Sequence, residues 1–322
     1  MNTPTEQNSK FMESIRNWRT KLSPVFGVII LGVFLYWSWI YRDIIIDTFR
    51  KVEIAQLMGF VVLMLFSSIL TVFALVILIR DKGYSFGFAD GYHSLNLSQL
   101  ASMIPGGVWG YAGFAAYLWS KGISKVDSVV IIFLNTLIML SACAVVGISG
   151  LMTILGWEYA VLCLFPFLFL IFGRNWLDKI RQRYYPESSR LPSTTALLKA
   201  LFLGVVVWLI ISSSFAWLLY TGNGRGVIPF WTVIGAYAAG YLGGYISILV
   251  PSGLGVSEGL VALMLGPYIG TERILATAIS FRMIHTLIIW GNIVVSVALT
   301  SGTFKKINST HDGGNQKNPT KR

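Results

Sequence analysis

Two stretches decide how this chain is read: Ser98-Gln-Leu-Ala-Ser-Met-Ile-Pro105-Gly106-Gly107-Val-Trp109 and Ser247-Ile-Leu-Val-Pro251-Ser252-Gly253-Leu-Gly255-Val-Ser-Glu258. Proline removes a backbone donor and clashes with the preceding helical turn, while glycine adopts conformations closed to other residues. Each stretch therefore reads as helix, break, helix. A short apolar segment follows each break, 109–119 in the first and 256–269 in the second. Each segment then leads through a glycine and a charged turn, Gly122-Ile-Ser-Lys125 or Gly270-Thr-Glu-Arg273, into a long apolar run. The shared order of elements suggests two copies of one unit.

The rest of the chain sets the solvent. It is 55% hydrophobic and 12% charged, with a mean hydropathy of +0.67. Soluble domains carry about 25% charged residues, so most of this surface must face lipid or other helices. Six segments are long and apolar enough to span: about 25–41, 56–79, 126–149, 151–173, 196–220 and 274–300. The expected fold is all-α. It is a polytopic transmembrane helical bundle of six full spans plus two Pro-Gly-broken re-entrant helical hairpins, forming an inverted repeat with halves at about 56–149 and 196–300. Residues 1–24 read as a cytoplasmic or interfacial segment, because Phe11, Ile15, Trp18 and Leu22 recur at helical spacing among basic residues. Residues 25–300 form the transmembrane domain, and 301–322 a disordered cytoplasmic tail. Cys143 and Cys163 both lie in apolar runs, which argues against a disulfide framework or a metal site.

The net charge of +11 is explained by position rather than by nucleic acid. With the N-terminus inside and each broken region entering and leaving on one side, 19 of the 25 basic residues fall in inside segments and 5 outside. The remaining one, Arg282, lies in the last span and is the only basic residue far from any loop. The positive-inside rule therefore places both termini in the cytoplasm of a multi-pass cell-membrane protein. Two full crossings for each broken region would keep the same parity. The span before the first break then runs outside to inside and the span before the second runs inside to outside, which makes the copies inverted. Inverted repeats with interrupted helices are a common transporter plan.

A half-helix starting at Gly107 or Gly253 would point free N–H groups and a positive dipole end at an anion. Trp109 could stack on a substrate or gate it. Charges at membrane depth are costly and usually functional, which singles out Glu258 and Arg282, as a mutual pair or with Arg282 on a substrate phosphate. The expected substrate-binding set is Pro105, Gly106, Gly107, Trp109, Pro251, Ser252, Gly253, Gly255, Glu258 and Arg282. Asp90 and His93 read as capping or snorkelling groups, and Asn135 and Asn292 as interhelical hydrogen-bonding groups. The chain lacks a P-loop, HExxH, CxxC and Asp-x-Asp, so no catalytic residue, metal or cofactor is expected.

These same residues carry a family resemblance. Leu100–Trp109 with Gly122-Ile-Ser124, Val250–Glu258 and Phe281-Arg282 resemble the signatures of the lysylphosphatidylglycerol synthase transmembrane, or flippase-like, family. The chain departs at Ser252, where the family usually has Gly, and at Ser257, where a basic residue is common. The resemblance implies a flippase-type domain translocating a phospholipid or lipid-linked glycan. Multi-domain members join it to a cytoplasmic lysyl-transferase. The 22 residues after the last expected span leave no room for one, so no enzyme activity is expected. Two alternatives are a membrane-embedded glycosyltransferase-type enzyme using Asp90 and Glu258, and a non-transporting accessory subunit of envelope lipid or polysaccharide assembly that partners a transferase.

The charge distribution makes a direct prediction. Reporter fusions after residue 82, near residue 185 and at the C-terminus should all report cytoplasm. An external signal at the C-terminus overturns both the topology and the inversion.

Overall fold

The computed structural model describes residues 32, 35–36, 38–102, 109–160, 168, 172–184, 190–221, 228–246 and 253–312. Every regular element among them is a helix: α1 (Arg42–Lys51), α2 (Ile54–Asp81), α3 (Phe88–Ser102), α4 (Trp109–Ser120), α5 (Lys125–Val146), α6 (Ile148–Leu155), α7 (Trp157–Ala160), α8 (Arg174–Tyr184), α9 (Thr194–Leu219), α10 (Phe230–Ile246), α11 (Val256–Ile269) and α12 (Thr271–Asp312). Four are long and apolar enough to cross a membrane: α2, α5, α9 and Thr271–Ala298 of α12. The shortest, with 22 residues, rises about 33 Å and covers a hydrocarbon core of about 30 Å.

These four match the runs at 56–79, 126–149, 196–220 and 274–300. The span expected at 25–41 falls mostly outside the described residues. Of the span expected at 151–173, residues 161–167 and 169–171 lie outside the described residues, and the described part is not one continuous helix. The α6 helix ends at Leu155, Gly156 takes φ +82°, and α7 begins at Trp157. Hydropathy averages across such a glycine, whereas a left-handed residue terminates the helix. The α6 helix packs on α10, where a Cβ on Gly150 would stand 2.4 Å from the Gly235 carbonyl oxygen. Residues 42–51, expected as a loop, form α1, which buries Ile45 and Thr48 and packs on α12. The last helix runs on to Asp312, into the segment expected to be tail.

Both broken regions are antiparallel helical hairpins. In the first, Gly110 abuts Ser98 and Ser102, Gly113 abuts Leu97 and Ala101, and Lys121 reaches back to Asp90 at 2.6 Å. In the second, Gly244 abuts Gly253 and Ser257, and Gly240 abuts Ser257 and Val261. The end of each hairpin where α3 passes to α4, or α10 to α11, is its tip; residues 103–108 and 247–252 themselves lie outside the described residues. The helices that precede the hairpins, α2 and α9, run antiparallel. Trp217 lies over Gly59 at one end and Asp81 accepts from Ser193 at the other.

That second end of the bundle is tied by charge. Lys82 Nζ sits 2.9 Å from Asp127 Oδ1 and donates to the Arg190 carbonyl at 3.1 Å. The Tyr84 hydroxyl donates to Asp127 Oδ2. The two charged side chains are 0% and 1% exposed. Burial pulls the Lys82 ammonium below its ordinary value, against the upward pull of Asp127. The contact joins the end of α2, the start of α5 and the approach to α9. Asp127→Ala should therefore lower stability by roughly 3–5 kcal/mol, because it strands a buried ammonium. Lys82→Met with Asp127→Ala should recover most of that loss in thermal denaturation of purified protein. A double variant as unstable as the single one would show that the stranded charge is not the cause.

Candidate functional site

The second hairpin builds the site at its turn. Gly253 and Gly255 take φ +64° and +80°, left-handed values that strain any residue with a Cβ. A Cβ on Gly253 would also stand 2.7 Å from the backbone of Gly244. These two glycines aim the start of α11, whose first N–H groups have no partner within the helix. Glu258, in its first turn, bends back so that Oε2 accepts from the Gly255 N–H at 2.7 Å, a carboxylate held where the helix dipole favours one.

Arg282 completes the arrangement from α12. Its Nη1 stands 3.1 Å from Glu258 Oε1 and donates to Ser257 Oγ at 3.2 Å. Ser257 Oγ lies 2.9 Å from Glu258 Oε2 and 3.2 Å from the Gly253 carbonyl, either of which takes its proton. Glu258 is 3% exposed. The N–H group of Gly255, expected to face a substrate anion, is thus held by a carboxylate of the chain itself. Tyr237 and Tyr241 wall the pair. Tyr237 stacks on Phe215 at 4.7 Å and meets Phe281 edge-on at 5.3 Å, and Tyr241 meets Trp208 at 4.5 Å. The space left among Tyr237, Tyr241, Ser257, Glu258 and Arg282 is about 10 Å³, enough for about one water.

The first hairpin approaches the same place. Trp109 opens α4 and is 49% exposed. Two residues on, the Tyr111 hydroxyl is hydrogen-bonded to that of Tyr245 in α10, one helical turn beyond Tyr241. The two tips are therefore neighbours. Of the expected site residues, the structure brings Gly253, Gly255, Glu258 and Arg282 together and sets Trp109 beside the tip contact. Pro105, Gly106, Gly107, Pro251 and Ser252 lie outside the described residues.

Other polar groups serve packing. Asp90 accepts from the Gly87 N–H at 3.0 Å and pairs with Lys121, a capping role at the base of its hairpin, far along α3 from the tip. It does not meet Glu258. Tyr92 donates to Asn292 Oδ1 at 3.1 Å, Asn292 Nδ2 donates to Ser68 at 3.4 Å, and His93 Nδ1 stands 2.7 Å from Ser296 Oγ. Asn135 differs from expectation, because its buried Oδ1 has no hydrogen-bond partner. Sequence reasoning missed Ser257 and the tyrosines. Tyr237, Tyr241 and Tyr245 repeat at i, i+4, i+8 on one face of α10, a stripe that helical periodicity alone could have flagged.

A family model described as the lysylphosphatidylglycerol synthase TM region matches residues 25–291. No curated protein matches the chain. With its apolar helices, the match makes this a multi-pass membrane protein of lipid-related function.

The tip contact is open to a direct check. In a background with Cys143 and Cys163 replaced by Ser, Tyr111→Cys and Tyr245→Cys should be joined by a short bis-maleimide. Leu65→Cys and Tyr245→Cys should not. Equal yields from both pairs would mean that the tips do not meet.

Proposed function

The chain belongs to the lysylphosphatidylglycerol synthase TM-region family, and on that footing we propose that it translocates an anionic amphiphile, a phospholipid or lipid-linked glycan, across the cell membrane. The two halves, α2–hairpin–α5 and α9–hairpin–α12, act as inverted repeats. Their hairpins enter the membrane from opposite sides and meet tip to tip. The head group passes between the tips, and the acyl chains stay in lipid.

One observation carries this reading: Arg282 is held by Glu258 and Ser257 at the turn of a glycine-broken hairpin, one helical turn from the contact between the two tips. An arginine at this depth needs an anion, and the guanidinium fork suits phosphate as well as carboxylate. The carboxylate of Glu258 holds the phosphate's place until a head group arrives. Arg282 then exchanges one anion for the other, with Ser257 retaining the guanidinium. Room for about one water means that the tips must part for the exchange, and closing them again behind the head group gives alternating access. Gly253 and Gly255 shape the turn of the second hairpin, Pro105, Gly106, Gly107, Pro251 and Ser252 are expected to meet the head group, and Trp109 guards the entrance.

Transport of tail-labelled phosphatidylglycerol in proteoliposomes tests the reading. Arg282→Gln should slow it by roughly 10- to 100-fold, the worth of one charge-assisted hydrogen-bonded contact. Arg282→Gln with Glu258→Gln should fold with wild-type stability and stay slow, because the phosphate has lost its cation. A double variant that transports at the wild-type rate would reduce the pair to a tie between helices.

A further inference from the structure

The seam between α2 and α9 differs at its two ends. At one end Trp217 lies over Gly59, within 2.7 Å of where a Cβ would be, and packs on Phe60 with ring centroids 5.0 Å apart. The seam is filled there. At the Lys82 end it is open, a groove of about 420 Å³ lined by Ile77, Thr195, Leu198, Lys199, Phe202 and Leu203. That volume lies in the range of small-molecule sites. Leu198 and Phe202 are 44% and 68% exposed, on the outer surface of the bundle and away from the Glu258–Arg282 pair. The antiparallel packing puts Gly59 and Lys199 at the same position, each five residues beyond the start of its helix. One end thus carries a glycine under an indole, and the other a cation beside an open groove.

Lys199, the cation that lines this groove, is not consumed by the protein. Among the described residues Lys199 forms no ion pair. Arg174 donates to Thr194 Oγ1 at 3.5 Å, while its buried Nε has no hydrogen-bond partner. Thr194 adjoins Thr195 of the groove. Of the nearby carboxylates, Asp81 is taken by Ser193 and Asp178 by Arg181 and the Leu191 N–H. An apolar groove along a membrane helix, lined near the end of that helix by one cation and one hydroxyl, with Arg174 on the neighbouring Thr194, suits an anionic phospholipid.

We propose that this groove binds one anionic phospholipid of the leaflet at the Lys82 end. An acyl chain lies against Ile77, Leu198, Phe202 and Leu203, and the phosphate sits on Lys199 with Thr195 and Arg174 at its rim. The site is separate from the translocation path and would hold even if the chain moves no lipid. A juxtamembrane cation favours an anionic lipid by about fivefold. The filled far end offers no equivalent.

Native mass spectrometry of the full chain, titrated with phosphatidylglycerol and phosphatidylcholine of identical acyl chains, reads this directly. One phosphatidylglycerol should bind about fivefold or more tighter than phosphatidylcholine. Lys199→Gln, an exposed change that leaves the melting temperature unmoved, should erase the preference. Leu198→Trp should weaken both lipids by filling the groove. Arg282→Gln should leave the preference intact. Equal binding of the two lipids by wild type, or a preference that survives Lys199→Gln, overturns the proposal. So does a preference lost in Arg282→Gln, which would place the lipid at the internal pair instead.

Discussion

An arginine in the apolar middle of a helix bundle needs a counter-charge within hydrogen-bonding reach, and the 3.1 Å contact of Arg282 with Glu258 supplies it. An unpaired guanidinium at this depth costs about 2.5–3.5 kcal/mol even on the lenient insertion scale. Glu258 answers only because α11 begins where it does. That start is set by the left-handed Gly253 and Gly255, and Gly253 lies against the bare backbone of Gly244. The pair therefore fixes the register of α12 against the hairpin and the geometry of the hairpin itself. It also places a carboxylate, rather than open N–H groups, at the end of the helix.

The same constraint explains why the hairpins pack through small residues. Between helices in lipid, apolar burial gives little drive, and close backbone approach takes its place. Gly240 and Gly244 allow α10 to lie on Ser257 and Val261, and Gly110 and Gly113 allow α4 to lie on α3. A larger residue on any of these faces would lever the hairpin open and separate the groups that its turn brings together. At a separate interface a polar stripe on α12, Asn292 and Ser296, meets Tyr92 and His93 of α3.

Much of this was legible in the sequence, for identifiable reasons. Three of the long apolar helices match the expected spans within three residues at both ends, and the last matches at its start and runs on past the expected end, because hydropathy locates an apolar stretch of 22 or more residues but not a polar helical extension of it. The hairpins followed from proline and glycine, whose backbone rules are local. Glu258 and Arg282 stood out because charge in an apolar run is rare. What the sequence hid was non-local or averaged away. Gly156 interrupts an apolar run without changing its mean hydropathy. Gly150 shows its importance only beside Gly235. The Tyr111–Tyr245 contact joins residues 134 positions apart, and no pattern within either segment announces it. Ser257 looked like a departure from a family pattern, yet it bridges the two charged residues of the site.

The two halves match in shape but not in chemistry. Counted from the proline of each break, Ser257, Glu258 and Arg282 answer to Tyr111, Ala112 and Thr136. One half thus ties its return helix to its last span with an ion pair, and the other has neutral groups at the same positions. Removing one partner of a buried ion pair costs about 3–5 kcal/mol, whereas a neutral hydrogen bond contributes about 0.5–1.5 kcal/mol net. Tyr111 and Tyr245 are also about 40% exposed, so water or lipid offsets part of that loss. Any movement at the tips therefore divides unequally. On the alternating access proposed above, the hydroxyl contact between the tips is the weaker tie, while α11 and α12 stay joined by Glu258 and Arg282. The charged pair belongs to the second half, and the first half presents a neutral hydroxyl at the contact between them.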